Sequence, residues 1–328
     1  MDIIAGDIGG TKSWLAWATA EGQEMAICYE QVYASADFAS SEALMQRFVS
    51  DASQTARPQA VCLALPGPVV QDDRPIRLTN LDWVIKKSSL RNLLGASQLL
   101  FINDFQAAAQ GVSTLTASDT VTLNPGGGSG DPAIRAITGA GTGLGLAWMH
   151  QEASGHYRAF ATEGGHTDFA PANAQQERLL AFMRQRYAHV SWERLVSGPG
   201  VNQVYQFCLL EMTGEIPAEL RERNGAVVNQ ATQAGDPVAT ATMQLFADLY
   251  ANWVGNVALL YQPGGGLYLG GGISARIQPW LQTQRFLDAC FDKGRMAALV
   301  RQTPIHLITN TRLGLQGALA AAVRHTTG

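Results

Sequence analysis

An apolar run ending in glycines occurs twice in this chain. Ile3-Ile4-Ala5-Gly6-Asp7-Ile8-Gly9-Gly10-Thr11 stands near the N-terminus, and Ile137-Thr138-Gly139-Ala140-Gly141-Thr142-Gly143-Leu144-Gly145 follows far downstream. Glycine lets backbone N–H groups approach phosphate oxygens with no Cβ in the way, and threonine adds a hydroxyl donor to the same cradle. Two such loops can grip one polyphosphate from opposite sides, so the pair predicts a nucleotide held between two domains. Gly6 to Ser13 falls one residue short of the P-loop pattern G-x-x-x-x-G-K-[ST], with Thr11 where the last glycine belongs. A P-loop opens a helix, whereas Trp14-Leu15-Ala16-Trp17-Ala18 reads as a returning strand, and the loop is therefore expected in a β-hairpin. The missing helix and the missing G-x-G-x-x-G spacing also exclude a Rossmann turn.

A chain of 328 residues has room for two domains, and 46% hydrophobic with 15% charged residues suits well-buried cores. The formal net charge of −4 supplies no basic stripe for a nucleic-acid backbone, which leaves small-molecule chemistry. Cys28, Cys62, Cys208 and Cys290 are scattered without a C-x-x-C pair, so they are expected as reduced, buried thiols. Met1-Asp2-Ile3-Ile4 has no signal-peptide character, which predicts a cytoplasmic protein. Leu249 to Ala275 carries no charge, but Asn252, Asn256, Gln262 and Pro263-Gly264-Gly265-Gly266 interrupt it. It reads as a buried helix and a buried strand, not a membrane span.

Strand and helix signals alternate in the first third: a hairpin at 2–19, an amphipathic helix from Ser41 to Ala52, and the strand Ala60-Val61-Cys62-Leu63-Ala64-Leu65 stopped by Pro66-Gly67-Pro68. Ser88 is expected to cap a short helix ending at Gly95. Leu99-Leu100-Phe101-Ile102 then delivers Asn103-Asp104 at a strand end, where ligands gather in α/β folds. Thr114 to Pro132 reads as exposed and turn-rich, and a domain crossing is placed near 113. The expected domains are 1–113, joined by the C-terminal helix 312–328, and 114–311. The larger part has helices near 174–187, 199–213 and 237–261, the last opened by Asp236-Pro237, and Leu267-Tyr268-Leu269-Gly270-Gly271-Gly272-Ile273 repeats the strand-to-glycine theme.

Phosphoryl transfer needs an acceptor held in line, a base for the incoming hydroxyl and a cation for the phosphates. Asp104 is the candidate base, and Asn103 can hydrogen-bond other acceptor hydroxyls, although an isolated Asn-Asp also caps helices. Glu163-Gly164-Gly165-His166 sets a carboxylate and an imidazole three residues apart, with glycines that leave room for a ligand, a pairing suited to polyhydroxyl substrates. Glu193 is a third candidate carboxylate; read alone, it is a helix-surface residue. Asp7 lies too near the phosphate cradle for its charge to help without a cation, and Mg²⁺ held through water by one carboxylate is physically sufficient.

Together, Gly6-Asp7-Ile8-Gly9-Gly10-Thr11, Leu65-Pro66-Gly67-Pro68-Val69, Thr79-Asn80 with Trp83, Ile102-Asn103-Asp104-Phe105, Gly139-Ala140-Gly141-Thr142-Gly143-Leu144-Gly145, Glu163-Gly164-Gly165-His166 and Leu195-Val196-Ser197-Gly198-Pro199-Gly200 resemble the bacterial glucokinases, in order and over nearly the whole chain. The resemblance implies an α/β fold of two actin-like ATPase (ribonuclease H-like) domains flanking a cleft that closes on sugar. It implies ATP-dependent phosphorylation of the glucose 6-hydroxyl, with Asp104 as base and Asn103, Glu163, His166 and Glu193 on the sugar. Gly6, Asp7, Ile8, Gly9, Gly10 and Thr11 with Gly139, Ala140, Gly141, Thr142 and Gly143 would be phosphate loops, and Gly270, Gly271 and Gly272 the adenosine-side turn. A homodimer is also implied. Lys12-Ser13-Trp14 stands where many relatives carry Asn and, shortly after, Arg. The clustered cysteine and histidine motif of the repressor and kinase (ROK) family is absent, and no helix-turn-helix precedes the first loop, which disfavours a repressor. A kinase for another hexose or an amino sugar would use the same loops, and an actin-like chaperone or filament ATPase would share the glycines.

Overall fold

The computed structural model describes residues 1–21, 24–78, 81–128 and 130–327. Thr79-Asn80, part of the motif set above, and Ser129 of the turn-rich segment lie outside the described residues. The chain forms two compact units, the first made of Met1–Leu115, Tyr157–Ala161 and Arg312–Gly328, the second of Thr116–His156 and Thr162–Thr311.

In unit 1, β1 (Asp2–Ile8) and β2 (Lys12–Glu21) form an antiparallel hairpin in which Asp7 faces Trp14 across the ladder. Next come β3 (Glu24–Ala34), β4 (Ala60–Leu65), the two-residue strands β5 (Ile76–Arg77) and β6 (Val84–Ile85), and β7 (Gln98–Asn103). The main sheet runs β3-β2-β1-β4-β7, with β4 parallel to both β1 and β7. A parallel central strand is covered on both faces, which is why all six residues of β4 are apolar and buried. Alternation along β1 sends Ile4 and Ile8 into one layer with Phe48, Leu63 and Phe101, and Ile3 and Ala5 into the other against Leu315, Ala318, Leu319 and Ala322 of the helix Leu313–Thr327. Tyr157–Ala161 joins this unit through Gln106 Nε2 donating to Ala159 O and Arg324 Nη1 donating to Tyr157 O.

Unit 2 repeats the pairing. Its strands are β8 (Thr120–Asn124), β9 (Ile134–Ala140), β10 (Leu144–Gln151), the end of β11 (Tyr157–Thr162), β12 (Leu267–Gly270) and β13 (Ile305–Ile308). β9 and β10 form the hairpin, β12 lies parallel to β9, β13 parallel to β12, and β8 closes the edge antiparallel to β13. Behind them the helix Pro237–Tyr261 is buried along most of its length. Pro237 occupies its first turn, and Asp236 caps it by accepting from the N–H groups of Val238 and Ala239 at 2.9 and 3.0 Å. No helix among the described residues is long and apolar enough to cross a membrane.

Four local expectations change. The segment 114–132 contains β8, whose partner β13 lies far away in sequence. Ser88 does not cap its helix: it sits inside the first turn of Lys87–Leu94, where its N–H is an orphan donor, and the Asp73 carboxylate accepts from both that N–H and the Ser88 hydroxyl, at 2.7 and 2.8 Å. After Gly271 the chain enters the short helix Gly272–Arg276 and not another strand. Cys62, Cys208 and Cys290 are buried thiols, but Cys28 is exposed on β3, the outermost strand of the first sheet.

Candidate active site

The candidate residues fall into two sets, one on each unit. In unit 1 the turn between β1 and β2 is closed by the Gly9 N–H donating to Lys12 O at 3.0 Å. Ser35, which the sequence reading did not single out, locks the turn from behind. Its hydroxyl donates to Gly9 O at 2.7 Å and lies 2.9 Å from the hydroxyl of Ser13, and both serines are buried. Lys12-Ser13-Trp14 is therefore fastened at each residue: the Lys12 ammonium lies 5.3 Å from the Trp14 ring centre, and Trp14 Nε1 donates to Glu30 at 2.8 Å. Glu30 also pairs with Arg312.

Asp7 lies beneath this turn, packed so closely against the start of the helix Leu313–Thr327 that a Cβ on Gly314 would sit 2.5 Å from its Oδ2. Burial raises its pKa above the ordinary 3.8, and the Lys12 charge opposes the rise. A carboxylate so placed gains from a bound cation. No group of three or more His, Cys, Asp or Glu capable of holding a metal occurs among the described residues, so the donor set fits an ion that brings phosphate and water ligands of its own.

Asn103 and Asp104 sit at the junction of β7 and the helix Asp104–Gly111. Asn103 is the N-cap: its Oδ1 accepts from the N–H groups of Phe105 and Gln106 at 2.9 and 3.1 Å, and its Nδ2 donates to Gly67 O at 3.1 Å. That occupies three of the amide's four positions and leaves one N–H for an acceptor hydroxyl. Asp104 opens the helix and accepts from the Phe105 N–H at 2.8 Å, which fixes its carboxylate at the strand end.

In unit 2 the second glycine turn closes with the Gly141 N–H donating to Gly143 O, and the Gly198 N–H of the Leu195–Gly200 motif donates to Gly141 O, both at 2.8 Å. Gly198 begins the helix Gly198–Thr213, capped by the Ser197 hydroxyl, so a helix N-terminus abuts the turn. Glu193 lies in the turn before this helix, not on a helix surface. Its Oε2 accepts from the Leu144 N–H at 2.8 Å, so near Gly143 that a Cβ there would come within 2.5 Å of it. Its Oε1 is 3.7 Å from His166 Nε2, and Glu163 Oε2 is 3.9 Å from the same nitrogen. Glu163, His166 and Glu193 thus surround one imidazole, with Glu163 and His166 about 60% exposed. Gly164 and Gly165 serve a different purpose from the expected ligand space: they let this turn lie against β10, where a Cβ on Gly164 would meet the Leu146 side chain and one on Gly165 the Leu144 carbonyl. Gly270 to Gly272 lies beside Gly139 and Ala140, with β12 paired to β9 through Gly139 and Gly270.

Fold and site define a class: an ATP-dependent hexose kinase. The glucokinase family model matches residues 4–325, and the chain belongs to the glucokinase family. It is 36% identical to a glucokinase of Trichormus variabilis over 98% of this chain and 99% of that one. Among solved structures it is similar to the glucokinase of an Antarctic psychrotroph, with a TM-score of 0.83 and 31% identity over 98% of this chain and 99% of that one. A ROK family glucokinase from Streptomyces griseus, solved with glucose and AMPPNP, aligns with a TM-score of 0.64 at 21% identity over 99% of this chain and 100% of that one. That likeness is one of fold, the mixed α/β fold of the actin-like ATPases.

Proposed function

We propose that the chain transfers the γ-phosphoryl group of ATP to the 6-hydroxyl of D-glucose, with Asp104 as general base, and that its two units are the paired actin-like domains the family resemblance implies. The observation that carries the sugar reading is the convergence of Glu163 and Glu193 on His166, with Glu193 fastened to the turn that is read as a phosphate loop. A hydroxyl-binding set attached to a phosphate turn serves a kinase, and a chaperone or filament ATPase has no use for it.

In this mechanism Asp104 accepts the proton of the sugar 6-hydroxyl as that oxygen bonds to the γ-phosphorus and the bond to the ADP oxygen breaks. Asn103 holds the start of the helix, and hence the Asp104 carboxylate, and offers its remaining N–H to a neighbouring hydroxyl. Carboxylate oxygens of Glu163 and Glu193 accept from sugar hydroxyls, and His166 donates or accepts according to its tautomer. Backbone N–H groups of Gly9, Gly10, Gly141 and Gly143 line the phosphate turns. Asp7 would hold Mg²⁺ through water, and the ion would supply neutralisation of the β- and γ-phosphate charge.

The test is ADP release from Mg·ATP across a panel of hexoses and amino sugars, with Asp104→Ala as the matched control. Turnover with glucose that the substitution abolishes is the expected result. Turnover with another sugar keeps the mechanism and changes the substrate, and ADP release that ignores sugar overturns the kinase reading.

A further inference from the structure

The helix Pro237–Tyr261 packs on β9 and buries two polar side chains against it. Trp253 Nε1 donates to the Thr138 hydroxyl at 2.8 Å, which in turn donates to Gly145 O and ties the hairpin strands together. One turn earlier, Tyr250 is wholly buried, and no step of the reaction uses its hydroxyl. The phenol oxygen lies 2.9 Å from the hydroxyl of Ser274, also wholly buried, and accepts a hydrogen bond from the backbone of Ala140. With the Ala140 N–H donating to it, the phenol donates its own proton to Ser274. Burial pushes the phenol pKa up to about 12, so the group is a neutral O–H at any working pH.

Its two partners belong to different glycine segments. Ala140 ends β9 and leads into Gly141-Thr142-Gly143. Ser274 lies in the helix Gly272–Arg276, which opens as Gly270-Gly271 leave β12. The segments meet backbone to backbone: a Cβ on Gly271, whose φ is +84°, would sit 2.5 Å from Ala140 O, and one on Gly139 would strike Gly270 O. Neither segment has a side chain at that contact to set the spacing, and the hydroxyl of Tyr250 reaches both from beneath.

We infer that Tyr250 is a positioning residue for the nucleotide, its hydroxyl holding the phosphate turn Gly139–Gly143 and the adenosine-side turn Gly270–Gly272 in fixed register. This rests on reading both turns as nucleotide-binding. One ligand that spans two turns binds well only if their separation is set in advance, since ordering them at the moment of binding costs affinity. Tyr250→Phe keeps the ring and removes one oxygen, leaving the Ala140 N–H and the Ser274 hydroxyl without it in a dry interior.

The experiment compares the full chain with Tyr250→Phe, Ser274→Ala and the double variant. The readouts are ADP affinity by calorimetry without sugar, KM for ATP, KM for glucose, kcat and the melting temperature. In Tyr250→Phe the ADP Kd and the ATP KM should rise about tenfold, on the scale of one buried hydrogen bond removed, with the glucose KM within about twofold. Ser274→Ala should produce a smaller rise, and the double variant should be no worse than Tyr250→Phe, because the two oxygens form one contact. A lower melting temperature with unchanged ADP Kd and ATP KM makes Tyr250 a core residue and overturns the inference, as does an equal rise in both KM values. If the unaltered chain binds ADP but phosphorylates no sugar, the kinase reading fails and the ADP Kd series still decides the role of Tyr250. A chain that binds no ADP overturns the inference outright.

Discussion

The two glycine hairpins share one backbone plan and differ in what braces them. In each, a strand reaches a glycine, Gly6 or Gly139, turns through further glycines and returns antiparallel, with a parallel strand on its other side. The residue after that glycine is a carboxylate in the first, Asp7, and a methyl in the second, Ala140. The first turn is held by neutral hydroxyls, Ser35 and Ser13, and the second by a helix N-terminus and the carboxylate of Glu193. Unit 1 therefore keeps its negative charge under the turn, where a cation can use it. Unit 2 places its charge beside the turn, within reach of His166. The same architecture is specialised on one side for phosphate and metal and on the other for joining phosphate to hydroxyl recognition.

That contrast predicts different kinetic signatures from carboxylates on the two units. Asp104→Ala in unit 1 should lower kcat by about a thousandfold, the middle of the range for a general base, while calorimetry shows glucose still bound. Loss of binding equal to the loss of kcat breaks the division, since Asp104 would then belong with the recognition groups. Glu193→Ala in unit 2 should weaken both substrates and lower kcat/KM by roughly a hundredfold, because one oxygen is removed from His166 and the other from the Leu144 N–H, a charge-assisted bond worth about 1.5–3 kcal/mol. Glu193→Gln separates the two contacts: the amide oxygen still accepts from Leu144, so the ATP KM should recover while the glucose KM stays high. An ATP KM as poor in Glu193→Gln as in Glu193→Ala removes the link to the turn.

What the sequence disclosed follows the range of the forces involved. The helix Pro237–Tyr261 is legible to its ends because Asp236 and Pro237 cap it locally, and β4 because a parallel central strand must be apolar throughout. Edge strand β8 was hidden because its ladder is made with β13, far along the chain. Motif matching located Asn103, Asp104, Glu163, His166 and Glu193, but not what they touch. Asn103 is spent largely on capping, and Glu193 on a backbone N–H that only the folded hairpin brings near. Ser35 and Tyr250 carried no signal, for a serine before a helix and a tyrosine in an apolar helix are unremarkable until the turn they support is in place.

Asp7→Asn sharpens the contrast from the stability side. A carboxyl whose pKa is raised by folding binds its proton more tightly in the folded chain, so stability falls as pH rises from the ordinary 3.8 through the folded value, and the full penalty applies above it. Asparagine carries no charge to desolvate. The variant should melt higher than the parent at neutral pH, with the difference vanishing below about pH 3.8, and should need more Mg²⁺, with activity down about tenfold at fixed metal. A lower melting temperature at neutral pH means that Asp7 is stabilised by its surroundings and not strained by them.

The smallest effect is expected from the neutral brace. Ser35→Ala removes the donor to Gly9 O and the partner of the Ser13 hydroxyl but no charge, so the loss is about 1 kcal/mol, a severalfold rise in the ATP KM with kcat and the glucose KM unchanged. The selectivity matters more than the size. Ser35 acts on a turn that meets phosphate alone, whereas Glu193 acts on one that also adjoins the hydroxyl set. A Ser35→Ala enzyme with a raised glucose KM would therefore mean that the first hairpin, too, serves sugar recognition, and the asymmetry between the hairpins would be confined to their chemistry.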